Sequence, residues 1–378
     1  MGLAVTKIEY ANFRNYERFA LEDIGGLTLF VGPNAVGKTN LIEGIQLTTA
    51  MNSFRNPKRT HLIKDGASAS CVKTLIEDES RSLEVKLAVT PESKDYFLNG
   101  KKKKAHSLRG LLPAVLFCPD DLELVKGSQS IKRASLDQLG SQLSANYYAV
   151  RRDYEKILRQ KNRYLKEETS HAYLQSINEV LAQIGAHLYC LRVQLVQELA
   201  PFIEQCYSEL TEGRERLEVS YVPSWVKYSH DSEHRTSYPV LSREEAKQTL
   251  LDCMESEYVR EHERRIALFG PHADAVDFFI TGRNAGIFAS QGQQRSLVLS
   301  FKMAEVKLIR ERLGQYPVLM LDDVMSELDE KRRSALLSLI SGNVQTFISA
   351  TDESYFDADV LAEARVVRLP LKGDACVE

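Results

Sequence analysis

The chain has 378 residues, longer than a typical single domain, which implies two domains or one domain with a large insertion. Lysine and arginine number 49 against 52 aspartates and glutamates, a net charge of −3. A diffusely basic protein is thereby excluded, and any polyanion must be held by local patches. Six scattered cysteines without a Cys-x-x-Cys pair exclude a zinc ribbon or disulfide framework and fit a reducing cytosol. Lys7, Glu9, Arg14, Glu17 and Arg18 break any signal-peptide core, and no apolar run approaches a membrane span, so a soluble cytoplasmic protein is expected.

Residues 3–10 (LAVTKIEY) predict a strand, and residues 12–24 a turn and a second strand. Residues 27–31 (LTLFV) are a short run of strand formers, residues 32–39 read GPNAVGKT, and Leu41, Ile42 and Ile45 then recur at helical spacing. Strand, glycine loop and helix are the context that G-x-x-x-x-G-K-[ST] requires. Glycines let backbone N–H groups face phosphate oxygens, and the helix N-terminus adds positive partial charge. The candidate loop is Gly32, Pro33, Asn34, Ala35, Val36 and Gly37, continued by Asn40. Lys38 is the candidate cation on the β- and γ-phosphates and Thr39 the candidate Mg²⁺ ligand. The motif alone implies binding of a nucleoside triphosphate such as ATP.

Residues 52–59 form a polar, basic connection containing Arg55, Lys58 and Arg59. Residues 71–79 and 82–90 predict strands, and residues 95–104 a hairpin turned at Asn99-Gly100. Lys101, Lys102, Lys103 and Lys104 are either a solvated turn or a contact for nucleic-acid phosphate. Residues 113–127 are an apolar run stopped by Pro119, followed by acidic residues.

From about residue 137 to 210 the composition favours helix. Tyr147, Val150, Tyr154, Ile157, Leu158 and Leu165 mark one face of a first helix. Arg151, Arg152, Arg159 and other cations crowd its remainder, as a solvated surface or a recognition face. In a second helix Leu174, Ile177, Leu181, Ile184, Leu188, Leu191 and Leu195 alternate three and four apart. The short polar break between them predicts an antiparallel hairpin. A strand within 216–225, a helix over about 241–262 and renewed strand character over 267–283 follow.

Ser290, Gly292 and Gln293 lie at the start of an amphipathic helix that Gly314 stops, and such an N-terminus is a second anion site. The Ser-x-Gly-Gln sequence resembles the signature of ABC-type ATPases, which caps the γ-phosphate bound to the opposite subunit. Residues 318–321 are apolar and precede Asp322 and Asp323, an acidic end at the C-terminal edge of a parallel sheet. Asp322 is the candidate Mg²⁺ ligand alongside Thr39. Asp323 stands where ABC-type ATPases carry a glutamate that positions the attacking water; one methylene shorter, it predicts slow hydrolysis. Residues 326–329 stand where such ATPases have a dimer-facing loop, and a helix over about 330–340 leads into a strand. Thr351-Asp352 replaces the usual γ-phosphate-sensing histidine.

The order of features resembles the RecF family of bacterial DNA-repair ATPases, which have an SMC-like head. The resemblance rests on NFRNY at 12–16, GPNAVGKTNLIE at 32–43, SFR at 53–55, PDDLELVKG at 119–127, FGPHAD at 269–274, ASQGQQRS at 289–296 and LDDVMSELD at 321–329. It implies an α/β fold, an ABC/SMC-type phosphate-loop ATPase head with an inserted helical arm. The implied division is 1–127 and 263–378 as two halves of the head, with 128–262 inserted. It further implies a weak ATPase using ATP and Mg²⁺, dimerising on ATP with Lys38 of one subunit and Ser290 of the other at each nucleotide. DNA, especially gapped or junction DNA, is the implied partner, with RecR and RecO in recombinase loading, in the bacterial cytoplasm at the nucleoid. By similarity to related heads, Arg14 approaches the nucleotide or is an ordinary surface arginine. The DNA candidates are Arg55, Lys58, Arg59, the four lysines at 101–104, Arg151, Arg152 and Arg159. The weighed alternatives are an SMC-like head serving a nuclease, opposed by an arm too short for a long coiled coil, and a transporter ATPase subunit.

Overall fold

The computed structural model describes residues 2–167, 170–225, 240–340, 344–370 and 376–377. It divides into two compact units, Met1–Asp121 with Glu305–Glu378, and Leu122–Ala304.

The first unit opens with the hairpin β1 (Ala4–Phe13) and β2 (Tyr16–Leu21), then β3 (Leu27–Val31) and α1 (Lys38–Thr49). A register shift between Val5 and Lys7 moves the core-facing positions of β1 from Val5 to Ile8 and Tyr10. A meander follows of β4 (Ser70–Glu77), β5 (Ser82–Val89), β6 (Lys94–Leu98) and β7 (Lys101–Lys103). In β4, Ser70, Val72, Thr74 and Ile76 are buried and alternate with half-buried residues, the pattern of a sheet with one face on the core. Asn99 and Gly100 turn the last hairpin with φ of 47° and 75°, as a tight two-residue turn demands. β8 (Ala114–Phe117) ends this stretch, and all four of its residues are buried.

The second unit begins with α2 (Glu123–Lys126) and α3 (Gln129–Leu143), then α4 (Ala145–Lys166) and α5 (His171–Thr211). α4 and α5 pack along each other, and the Tyr164 and Tyr173 rings meet edge to face across the break, as expected of a hairpin. α5 is much longer than its leucine seam indicated and runs through Pro201. Buried Leu199, Ile203, Cys206, Tyr207 and Leu210 carry it past a residue that removes one backbone hydrogen bond. β9 (Leu217–Val222) precedes α6 (Arg243–Ser256) and α7 (Tyr258–Arg264), two helices broken at Glu257 where one was expected. Ser242 and Glu245 close a reciprocal capping box on α6. β10 (Ala275–Ile280) pairs antiparallel with β9 and with β11 (Arg283–Asn284), and α8 (Ala285–Phe288) leads to α9 (Gln291–Leu313). The β9–β10 pairing draws residues 263–304 into this unit, although they follow the segment expected as the inserted lobe.

Beneath this small sheet lies a buried polar network. Arg192 makes a two-pronged ion pair with Asp137 at 2.7 and 2.9 Å and also donates to the Pro271 carbonyl. Tyr147 donates to the same aspartate at 2.7 Å, and Asp274 accepts from the Tyr221 hydroxyl and the Ser224 N–H. Buried charges paired this completely fix how α3, α4, α5 and β9 meet.

The chain returns to the first unit with β12 (Val318–Asp322), α10 (Glu330–Ile340), β13 (Thr346–Ala350), α11 (Ala358–Glu363), β14 (Arg365–Arg368) and β15 (Cys376–Val377). β14, β3, β13, β12 and β8 form one all-parallel sheet in that order. Every residue of β3, β12 and β13 is buried, as strands covered on both faces require. The second sheet runs β15-β2-β1-β4-β5-β6-β7 and is antiparallel except where β15 joins β2. α1 touches both sheets, and all its residues except Thr39 and Asn40 are buried. Among the described residues no helix is long and apolar enough to cross a membrane.

Candidate nucleotide site

The site is built on neighbouring strand ends. β3, β13 and β12 are adjacent and parallel, with Val31 opposite Ala350 and Ser349 opposite Asp322. Residues 32–37 leave β3 at the edge where Asp322 and Asp323 leave β12, two strand spacings or about 10 Å away. Gly32 N–H donates to the Ala350 carbonyl at 3.2 Å, tying the loop's root to the intervening strand.

Gly37 takes φ 110° at the N-terminus of α1, and a β-carbon there would lie 2.5 Å from Asn15 Nδ2. Glycine is therefore required both by the backbone and by the close neighbour. Ala35 also has positive φ, at 65°. Lys38 Nζ donates to the carbonyls of Gly32 and Pro33 at 2.6 and 2.9 Å, so the ammonium lies across the loop. Burial lowers its pKa, opposed by the negative charges of Asp323 and Asp322.

Ser349 Oγ donates to Asp322 Oδ1 at 2.7 Å, and the Asp323 N–H donates to Ser349 Oγ at 3.0 Å. Burial pushes the Asp322 carboxyl above the ordinary carboxylate range, opposed by hydrogen bonds from Ser349 and Thr39 and by the Arg55 charge. Thr39 and Asp322 are thus brought together. Asp323 has φ 55°, and its Oδ1 is buried without a hydrogen-bond partner. A strained residue with an unsatisfied carboxylate oxygen is a feature that functional sites retain. No cluster of three or more His, Cys, Asp or Glu able to hold a metal occurs among the described residues. A single carboxylate and a hydroxyl suit Mg²⁺, which takes most of its remaining ligands from phosphate and water.

Arg14 and Arg55 both belong to this neighbourhood. Arg14 makes a two-pronged pair with buried Glu43 at 2.8 Å for each bond, and Arg55 donates to Asn40 Oδ1 at 2.9 Å. Asn40 in turn donates to Asn15, which donates to the Val36 carbonyl of the loop. Glu43, Ser349 and Asn15 were not singled out from the sequence. The only signal was their place inside or beside quoted motifs, since a buried carboxylate on a helix reads like an exposed one.

Ser290 and Gln293 lie in the other unit. Ser290 caps α9: its Oγ accepts from Gln293 N–H at 3.3 Å, and its N–H donates to Gln293 Oε1 at 2.8 Å. The Gln293 amide also donates to Glu215 at 2.8 Å, while Ser290 is exposed. Gly292 is the second residue of α9. Asp352, at the histidine-switch position, accepts from Ser354 N–H at 2.7 Å and is spent on a local cap.

The nucleic-acid candidates separate by environment. Lys58, Lys101, Lys103, Lys104 and Arg159 are exposed, Lys102 pairs with Asp95 at 2.9 Å and Arg152 with Asp153 at 2.8 Å. Arg59 donates to the Glu92 carbonyl, and Arg151 lies between Glu155 and Asp137 at the edge of the buried network.

Comparison with known proteins agrees with this architecture. Residues 4–368 match the family described as RecF/RecN/SMC N terminal domain. The DNA replication and repair protein RecF of Lactobacillus johnsonii is 34% identical over 371 residues, covering 97% of each chain. Its counterpart in Listeria monocytogenes serotype 4b (strain F2365) is 36% identical over 359 residues, covering 93% of this chain and 94% of the relative. A solved structure of the recombination mediator protein RecF-ATP in the RecFOR pathway superposes with a TM-score of 0.85 at 29% identity, covering 94% of both chains. The Smc head domain from Pyrococcus furiosus shares the fold alone, at TM-score 0.54 and 14% identity. With its parallel sheet, phosphate loop and paired terminal aspartates, this chain belongs to the RecF family, within the RecF/RecN/SMC class of α/β ATPases.

Proposed function

We propose that the protein is an ATP-binding recombination mediator of bacterial DNA replication and repair, in which ATP drives dimerisation and slow hydrolysis reverses it. The observation that carries the reading is the array of Lys38, Thr39, Asp322 and Asp323 at one edge of the parallel sheet, with the Asp323 oxygen buried and unpaired. The relatives named as DNA replication and repair proteins and the RecF-ATP structure support the biological setting and the nucleotide.

Gly32 to Thr39 would bind the triphosphate, with Lys38 on its outer phosphates and Thr39 and Asp322 holding Mg²⁺. That ion supplies charge neutralisation at the phosphates. Asp323 positions the attacking water through a side chain shorter than glutamate, which favours slow turnover. Ser290, Gly292 and Gln293 complete the site bound by a second copy, because Ser290 is exposed at the start of a long helix whose N-terminal dipole favours an anion. Residues 1–127 and 263–378 are proposed as two halves of one ATPase head around an inserted lobe, although 263–304 belong to the same compact unit as that lobe.

DNA is the partner expected of the dimer, double-stranded or at single-strand/double-strand junctions, with RecR and RecO as co-mediators in the cytoplasm at the nucleoid. The RecFOR pathway of the RecF-ATP structure supports those protein partners. Single-turnover ATP hydrolysis with and without gapped DNA tests the reading. Slow hydrolysis abolished in Lys38→Met is expected, and hydrolysis that persists in that variant would overturn it.

A further inference from the structure

We propose that Glu43 is a positioning residue that fixes Arg14 and Arg55 at the mouth of the phosphate loop, so that both cations act on bound nucleotide. This inference rests on the nucleotide reading above.

Glu43 is fully buried within α1, where an unpaired carboxylate would be costly. Its Oε2 accepts from Arg14 Nε and its Oε1 from Arg14 Nη2, each at 2.8 Å, while Oε1 also accepts from Ser53 Oγ at 2.6 Å. Ser53 Oγ accepts from the Arg55 N–H at 3.2 Å, and Arg55 Nη1 stands 3.9 Å from Glu43 Oε2. One carboxylate thus anchors two loops distant in sequence, the β1–β2 turn and the segment after α1.

A second path ties both loops to the phosphate-binding backbone. Arg55 Nη1 bonds to Asn40, Asn40 to Asn15 and Asn15 to the Val36 carbonyl. Arg14 itself has φ 55°, a conformation that a non-glycine residue keeps only when its surroundings impose it. The guanidinium edge used by Glu43 leaves Nη1 of Arg14 as the edge for another acceptor. Holding two long side chains in place before the ligand arrives removes an entropy cost that binding would otherwise carry.

A purely structural Glu43 would alter stability without being coupled to Arg14 in nucleotide affinity. The test is a double-mutant cycle on the full chain, with mant-ATP fluorescence for affinity and a thermal melt in parallel. Glu43→Gln and Arg14→Ala are each expected to weaken mant-ATP binding by about tenfold, the scale of one charge-assisted hydrogen bond. The double variant is expected to be no weaker than the worse single one. Ser53→Ala, which keeps the buried ion pair, is expected to give a smaller loss in the same direction and guards against misfolding of Glu43→Gln. Independent losses that multiply to about 100-fold, or a lowered melting temperature with unchanged affinity, would overturn the inference. Failure of the wild type to bind mant-ATP would instead remove the nucleotide reading beneath it.

Discussion

Asp323 combines left-handed backbone conformation with a buried, unpartnered carboxylate oxygen, two costs that stability alone would not retain. Asp323→Asn keeps the shape and removes the charge; it is expected to lower single-turnover hydrolysis by about 100-fold while nucleotide still binds. Unchanged hydrolysis would remove the residue from the mechanism. A second single-residue expectation concerns packing. A β-carbon at Gly44 would lie 2.4 Å from the Tyr10 ring, whose hydroxyl donates to the Leu41 carbonyl at 2.8 Å inside α1. Gly44→Ala is therefore expected to cost about 1–3 kcal/mol, read as a lowered melting temperature. An unchanged melt would show that α1 and β1 can separate without penalty.

At the scale of elements, the buried network of the second unit gives a pH dependence. Burial lowers His272 to about 4 and raises Asp274 to about 6. As pH falls from about 6.5 toward 4, the unfolded chain protonates the histidine and the folded chain does not, so stability is lost. As pH falls from about 6 toward 3.8, the folded chain protonates Asp274 first, so stability is gained. The two oppose each other between pH 4 and 6. Asp274→Asn removes the gain, and its unfolding free energy is expected to fall further than that of the wild type between pH 7 and 5, by on the order of 1 kcal/mol. Equal drops would contradict the assignment. Local periodicity made the phosphate loop, the β6–β7 turn and the α4–α5 hairpin legible, because each is specified by residues near in sequence. The continuation of α5 through Pro201, the break at Glu257 and the β9–β10 pairing were not, since contacts distant in sequence decide them. Glu43 was hidden for the same reason: its partners Arg14 and Ser53 lie on separate loops.

At the scale of the whole molecule, a net charge of −3 means that the proposed DNA binding would rely on local cations, for which Lys58, Lys101, Lys103, Lys104 and Arg159 are the exposed candidates. Affinity for gapped DNA is expected to fall steeply with salt and to show little sequence preference, and salt-insensitive binding would contradict that picture. In the proposed dimer the phosphate loop is half of a site completed by Ser290 of a second copy. Size-exclusion chromatography with light scattering, in ATP, in ADP and without nucleotide, tests it most directly. Wild type is expected to dimerise in ATP alone, and Lys38→Met and Ser290→Arg to stay monomeric in all three conditions. A wild type that stays monomeric in ATP, or a Ser290→Arg variant that dimerises equally well, would contradict the composite site.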